Sequence, residues 1–326
     1  MMRVENLFTL DTPYREPLEL RAAAYGAPDA EPCCAIVGSM RGNEVQQTFI
    51  AAALVERLNA LEQAGLVRED KRVLVVPAVN AFSMNIHKRF WPVDNTDINR
   101  MFPGYDAGET TQRIADGLFR AVMGFPYGVQ LASFYLRGQF IPHVRITNEG
   151  YLSTESLEMA RLFGLPATLL REPSSFDTTT LNYNWQVWDT HAFSVYSRAT
   201  GSIDKKSADT VLDGILRFLV RIGALDEGAL DGVESLEEEP RQVVEDALVT
   251  VRAEHAGGFC KLEVQPGDHV EEGALLARVR DTFDNHVKEE LRAPVAGHVF
   301  FCRTAPLINQ YSVAFMIAPE AAESSW

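Results

Sequence analysis

Cys33-Cys34-Ala35-Ile36-Val37-Gly38, the turn Ser39-Met40-Arg41-Gly42-Asn43, a helical text from Glu44 to Gly65, and then Arg72-Val73-Leu74-Val75-Val76-Pro77-Ala78-Val79 form the stretch on which the fold turns. The two apolar runs are short and unbroken, as in strands covered on both faces. Between them apolar residues recur at helical spacing, and Gly65 closes the helix. Strand, helix and strand in that order make one βαβ unit, which implies a parallel pair within a larger sheet.

Working outward, the pattern predicts a helix over 108–123 and extended segments near 127–135 and 140–147. A helix from Ser153 to Phe163 closed by Gly164, a strand over 166–170 and an amphipathic helix over 204–222 follow. Residues 80–107 and 171–202 read as long irregular segments too aromatic to be disordered, and loops of that kind are usually functional. The acidic text DEGALDGVESLEEEP at 226–240 reads as a linker. Beyond it, short alternating runs and turns such as Gln265-Pro266-Gly267-Asp268 predict an all-β barrel or sandwich. The expected organisation is an α/β domain over 1–225 with an open mixed, largely parallel sheet flanked by helices. An acidic linker over 226–243 and a β domain over 244–326 complete it.

Composition narrows the partners. Among 326 residues, 30 Lys+Arg stand against 45 Asp+Glu, a net charge of −15. A field of that sign repels phosphate backbones and anionic lipid heads, so neither nucleic acid nor membrane is expected as a partner. Cys33, Cys34, Cys260 and Cys302 show no metal or redox spacing. With a charged N-terminus and no long apolar run, the expected compartment is the cytoplasm.

Two texts can carry chemistry. Arg41-Gly42-Asn43-Glu44 lies at a strand-to-helix junction, on the carboxyl edge of the sheet where open α/β folds bind ligands. A purely structural reading has Asn43 capping the helix and Glu44 complementing its dipole. The second text is Asp94-Asn95-Thr96-Asp97-Ile98-Asn99-Arg100-Met101-Phe102-Pro103-Gly104, where Arg100 offers a carboxylate a bidentate fork and Asn99 can orient an amide. Arg145, after the extended segment at 140–144, is a further anion-binding candidate. From Phe176 to His191 runs a dense polar and aromatic text. Strand-like alternation would put Leu181, Tyr183, Trp185 and Val187 on one face and Asn182, Asn184, Gln186 and Trp188 on the other. A pocket wall with Asn182, Asn184 and Trp185 or Trp188 facing ligand is one reading, and a structural hairpin is the other.

Together, Gly42-Asn43-Glu44, Pro77 with Asn80, and Asp97 to Gly104 resemble the succinylglutamate desuccinylase/aspartoacylase family. The resemblance implies a zinc-carboxypeptidase-like fold and zinc-activated water attacking an N-acyl amide. It also implies a His and a Glu from the first motif and a later His as zinc ligands, with a Glu as base. In this chain the first His position is Arg41, the third ligand position is Leu131 or Ala132, and Glu172 meets the base position only with a one-residue slip. Glu44 is then a remnant ligand, with His143 or His191 as substitutes, and zinc is expected to be weakly held or absent. The C-terminal part resembles a lipoyl/biotinyl-type domain without a carrier lysine at its expected tip, Thr282 to His286, although Lys288 stands nearby. The expected function is hydrolysis of amide bonds in N-acyl amino acids or related molecules, with an eroded zinc site. The alternative is a non-catalytic protein that keeps the pocket for an amino-acid derivative; a homo-oligomer is compatible with either.

Overall fold

The computed structural model describes residues 2–13, 16–148, 152–233 and 239–320. In chain order the large unit contains β1 (Arg3–Leu10), β2 (Leu18–Tyr25), β3 (Glu31–Ser39), α1 (Val45–Gln63), β4 (Lys71–Ala78), α2 (Ala81–Asn85), α3 (Thr110–Val122) and β5 (Tyr127–Ala132). There follow β6 (Gly138–Phe140), β7 (His143–Thr147), α4 (Leu152–Ala160), β8 (Ala167–Arg171), α5 (Leu181–Val187), β9 (His191–Tyr196), α6 (Lys205–Arg221) and β10 (Arg241–Val244). Across the sheet the order is β1-β2-β4-β3-β5-β9-β7-β8-β10. Strands β4, β3, β5 and β9 are parallel, β7 turns antiparallel to β9, and β8 and β10 follow β7. The sheet is therefore mixed, with the expected βαβ unit at its centre.

Alternate strand residues face opposite layers. Cys34, Ile36, Val73 and Val75 pack with Ile50, Leu54 and Leu58 of α1 and Val211, Ile215 and Leu219 of α6. Ala35, Val37, Leu74 and Val76 pack with Ile114, Leu118 and Phe119 of α3 and with Leu181 and Trp185 of α5. Both faces are covered, which is why these strands read as unbroken apolar runs.

Two expectations are corrected here. Residues 171–202 are not one irregular segment, because α5 and the central strand β9 lie within them. The alternation expected over 181–188 is helical: Thr180 caps α5 by accepting from the Tyr183 amide at 3.4 Å. Leu181 and Trp185, four apart, then enter the core together.

The stretch expected as a linker, 226–243, is partly folded onto the large unit. Ala229, in the 3-10 turn Glu227–Leu230, is buried in its core, and Arg241–Val244 extend the sheet along β8. Val243 packs with Ala167 and Leu169, an apolar contact that outweighs the acidic composition before it. Residues 234–238 of this stretch lie outside the described residues.

The C-terminal unit holds β11 (Val249–Arg252), β12 (Gly257–Lys261), β13 (His269–Val270), β14 (Leu275–Arg280), β15 (Val287–Arg292), β16 (Gly297–Arg303), β17 (Leu307–Ile308) and β18 (Val313–Pro319). Two antiparallel sheets, β11-β18-β16-β13 and β15-β14-β12-β17, close over Leu276, Val279, Val299 and Phe315. Strand β6 of the large unit pairs with β16, Phe140 opposite Phe301. The β14–β15 tip carries no lysine; Lys288, on β15, donates to the Ala256 carbonyl at 3.0 Å.

Candidate functional site

The first motif is a tight loop between β3 and α1. A Cβ on Gly42 would come within 2.3 Å of the Lys88 carbonyl oxygen, so this position accepts only glycine. The following helix begins at Val45 with Glu44 at its N-cap, and no side chain caps it. Asn43 is thus not the cap. Its Oδ1 is buried with no hydrogen-bond partner among the described residues.

Arg41 and Glu44 are both buried, and they are paired. Arg41 Nη1 donates to Glu44 Oε1 at 2.8 Å, while Arg41 Nε and Nη2 donate to Asp97 Oδ2 at 3.0 and 2.8 Å. Glu44 Oε1 also accepts from the Ser133 hydroxyl, and Oε2 accepts from the Met40 and Arg41 amides at 2.8 and 3.0 Å. Burial works against the Arg41 charge, but Glu44 and Asp97 outweigh it and hold the proton more tightly than in a free guanidinium. Asp97 itself caps the turn Ile98–Arg100 by accepting from the Asn99 amide at 3.1 Å.

These residues do not fit zinc. A guanidinium has no lone pair to give a metal. A carboxylate has about four acceptor positions, and on Glu44 all are taken by N–H and O–H donors. Leu131 and Ala132, at the expected third-ligand position, carry no donor atom for a metal, and the next residue, Ser133, just past the end of β5, donates to Glu44. His143 is no substitute ligand. It is fully buried, hydrogen-bonded through Nδ1 to the Ile141 carbonyl at 2.8 Å and stacked on Tyr196 at 4.7 Å between ring centres. His191 pairs with the Ser156 hydroxyl at 2.9 Å. Among the described residues, the one group of three His, Cys, Asp or Glu side chains close enough for a metal is Asp281, Asp284 and His286, at the β14–β15 tip.

Beside the Arg41 cluster lies a cavity of about 250 Å³, lined by Arg41, Asn99, Arg100, Gln130, Arg145, Arg171, Asn182 and Tyr196, with Leu248, Phe300 and Met316 from the C-terminal side. The structure thus gathers Arg41, Asn99, Arg100, Arg145 and Asn182 of the expected binding residues. Asn99 Oδ1 accepts from Gln130 Nε2 at 3.2 Å. Arg100 donates to the Phe176 carbonyl. Asn182 donates to the Ser194 hydroxyl at 2.8 Å, leaving its own Oδ1 buried and unpartnered among the described residues.

Three expected site residues lie elsewhere. Trp185 is fully buried in the core and donates to the Val122 carbonyl at 3.3 Å. Asn184 donates to the Thr178 and Thr180 carbonyls within its own turn. Both follow from helix replacing strand, since a helix does not alternate faces. Glu172 is exposed and accepts from Asn148 at 2.6 Å, because side chains alternate along β8 and the cavity face belongs to Arg171.

Arg171, Gln130, Asp177 and Tyr196 were missed by reading the sequence alone. Arg171 pairs with Asp177 at 3.3 Å and Glu245 at 3.0 Å. Burial pushes the Asp177 carboxyl up, but bonds from Ser174 and the nearby Arg171 bring it below the usual range, so it remains ionised. The signal available for Arg171 was its place at the carboxyl end of a buried strand. Arg145 is different from the other cavity arginines. Its guanidinium lies over the Tyr196 ring, 5.1 Å from the centre, and has no hydrogen-bond or ion-pair partner among the described residues.

The fold places this cavity at the carboxyl edge of a mixed sheet, the edge where open α/β folds bind their ligands. A family model for the succinylglutamate desuccinylase/aspartoacylase catalytic domain matches residues 30–222, more than half of the chain, and the chain belongs to that family. It is 28% identical over 306 residues to an N-alpha-acetyl-L-2,4-diaminobutyric acid deacetylase from Halomonas elongata, covering 90% of this chain and 83% of the relative. A succinylglutamate desuccinylase structure from a Silicibacter species superposes with a TM-score of 0.80 at 20% identity, over 96% of this chain and 94% of that one. The product-bound ectoine utilization protein EutE (DoeB) from Ruegeria pomeroyi gives 0.75 at 21%, over 92% and 89%. No helix among the described residues is long and apolar enough to cross a membrane.

Proposed function

We propose that this chain is a binding member of its deacylase family, one that holds an anionic, amide-bearing amino-acid derivative in the arginine-lined cavity without zinc-dependent hydrolysis. Arg145 carries this reading. A partly buried guanidinium without an acceptor is costly, and a ligand carboxylate would relieve that cost. Asn182, Asn99 and Gln130 supply the amide groups that suit a peptide-like centre. The relatives are named as deacylases, but turnover by their route needs a free carboxylate base, and here Asp177 and Glu245 are both engaged by Arg171.

Calorimetry tests the reading, with a panel of N-acetyl and N-succinyl amino acids that includes N-acetyl-diaminobutyrate, alongside an assay for released amine. Binding of at least one carboxylate-bearing member, weakened by about 1–3 kcal/mol in Arg145→Gln, is expected. No binding across the panel sinks the proposal, and so does amine release at enzymatic rates.

A further inference from the structure

We infer that Arg41 is the resident cation of this pocket, seated between Glu44 and Asp97 where a divalent ion would sit and excluding one by its presence. The inference concerns the cation position alone and stands whichever ligand fills the cavity.

Three observations carry it. The guanidinium meets two carboxylates from separate segments, Glu44 at 2.8 Å and Asp97 at 2.8 Å, in a buried setting. Arg41 is the cation paired directly with both carboxylates, Arg89 acting on them only from longer range, so without Arg41 two like charges would face each other in a largely dry setting. Such a pair demands a cation. The loop that presents Arg41 is also fixed in place, because at Gly42 the backbone of residues 83–88 leaves no room for even a methyl group.

Geometry also gives Arg41 something to do. Of its five N–H donors, three are used on Glu44 and Asp97. The remaining two have no partner among the described residues, and Arg41 lines the cavity. A permanently charged, immobile donor pair is therefore available to a ligand oxygen, with no metal to load or lose.

The test is zinc uptake. All variants are made in an Asp284→Asn background, because the exposed tip group of Asp281, Asp284 and His286 is a separate candidate for zinc. Chelator-washed protein is dialysed against zinc, and bound metal is counted by atomic emission. The parent is expected to hold no stoichiometric zinc. Arg41→His puts an imidazole beside the two carboxylates, a donor set zinc accepts, and should take up one equivalent. Adding Glu44→Gln to that variant should abolish the uptake.

Arg41→Ala provides a second measurement that does not depend on the new histidine. Its melting temperature should rise on adding either zinc or millimolar guanidinium ion, while the parent responds to neither. A parent that binds one equivalent of zinc through Glu44 overturns the inference. So does a folded Arg41→Ala that is indifferent to both ions. Neither result depends on the ligand panel, so a failure here is separate from a failure of the binding reading.

Discussion

Arg171 Nε lies 3.0 Å from Glu245 Oε2, joining the end of β8 to the segment that leads into the C-terminal unit. The same guanidinium reaches Asp177 at 3.3 Å. One arginine thus ties the sheet edge, the loop before α5 and the entrance to the second unit at a single point of the cavity wall.

Glu245→Gln should free part of that guanidinium for ligand. Glu245 is about a third exposed, so the stability cost should stay below about 1 kcal/mol. An anionic ligand should bind severalfold more tightly, read by calorimetry at low salt. Weaker binding would mean that the tie positions Arg171 rather than restraining it.

Arg100→Lys keeps the charge and loses the fork. It should weaken binding of a carboxylate ligand by about 1–3 kcal/mol. If affinity holds and only the melting temperature falls, Arg100 serves as a brace for the Phe176 carbonyl.

Trp185→Ala should lower stability by about 3–5 kcal/mol, since it empties a fully buried indole site packed against Gly128. Denaturant unfolding checks this. Asn182→Ala should show the opposite balance, with a clear loss of ligand affinity and a smaller loss of stability.

His143 makes acid stability a local property. Burial pushes its pKa down to about 3 from 6.5, so between those values the unfolded chain binds a proton that the folded chain refuses. The neutral ring's contribution is complete above pH 6.5 and is lost as pH falls from there towards 3. His143→Phe, matched to the surrounding Phe134, Tyr196 and Phe300 rings, should flatten the loss of melting temperature over that window. Parallel slopes in parent and variant would assign the acid sensitivity elsewhere.

The parts that could be read from sequence were those decided locally. The unbroken runs at 33–38 and 72–79 revealed doubly covered strands, and the turn at Arg41 fell on the ligand edge because edge and turn are fixed by the same βαβ unit. The 181–188 text misled because, over eight residues, periods of 2 and 3.6 both fit; the cap at Thr180 and packing of Trp185 against Gly128 decided for helix. Glu172 failed by one residue, which on a strand means the opposite face. Asp97 was visible within its motif, but its pairing with Arg41, 56 positions away, depends on tertiary structure alone. The same holds for the contribution of Leu248, Phe300 and Met316 to the cavity.

Strand β6, three residues long, leaves the large unit to pair with β16, while Phe300 and Met316 return from the C-terminal unit to the cavity. The two units therefore exchange parts across one seam. An accessory module that merely hung from a tether could be swapped between relatives by recombination at the tether. Here a replacement module would have to accept β6 along its edge and also present apolar side chains to the cavity, as Phe300 and Met316 do. Divergence of the cavity lining is thus expected to be recorded in both units at once, as paired changes on either side of the seam.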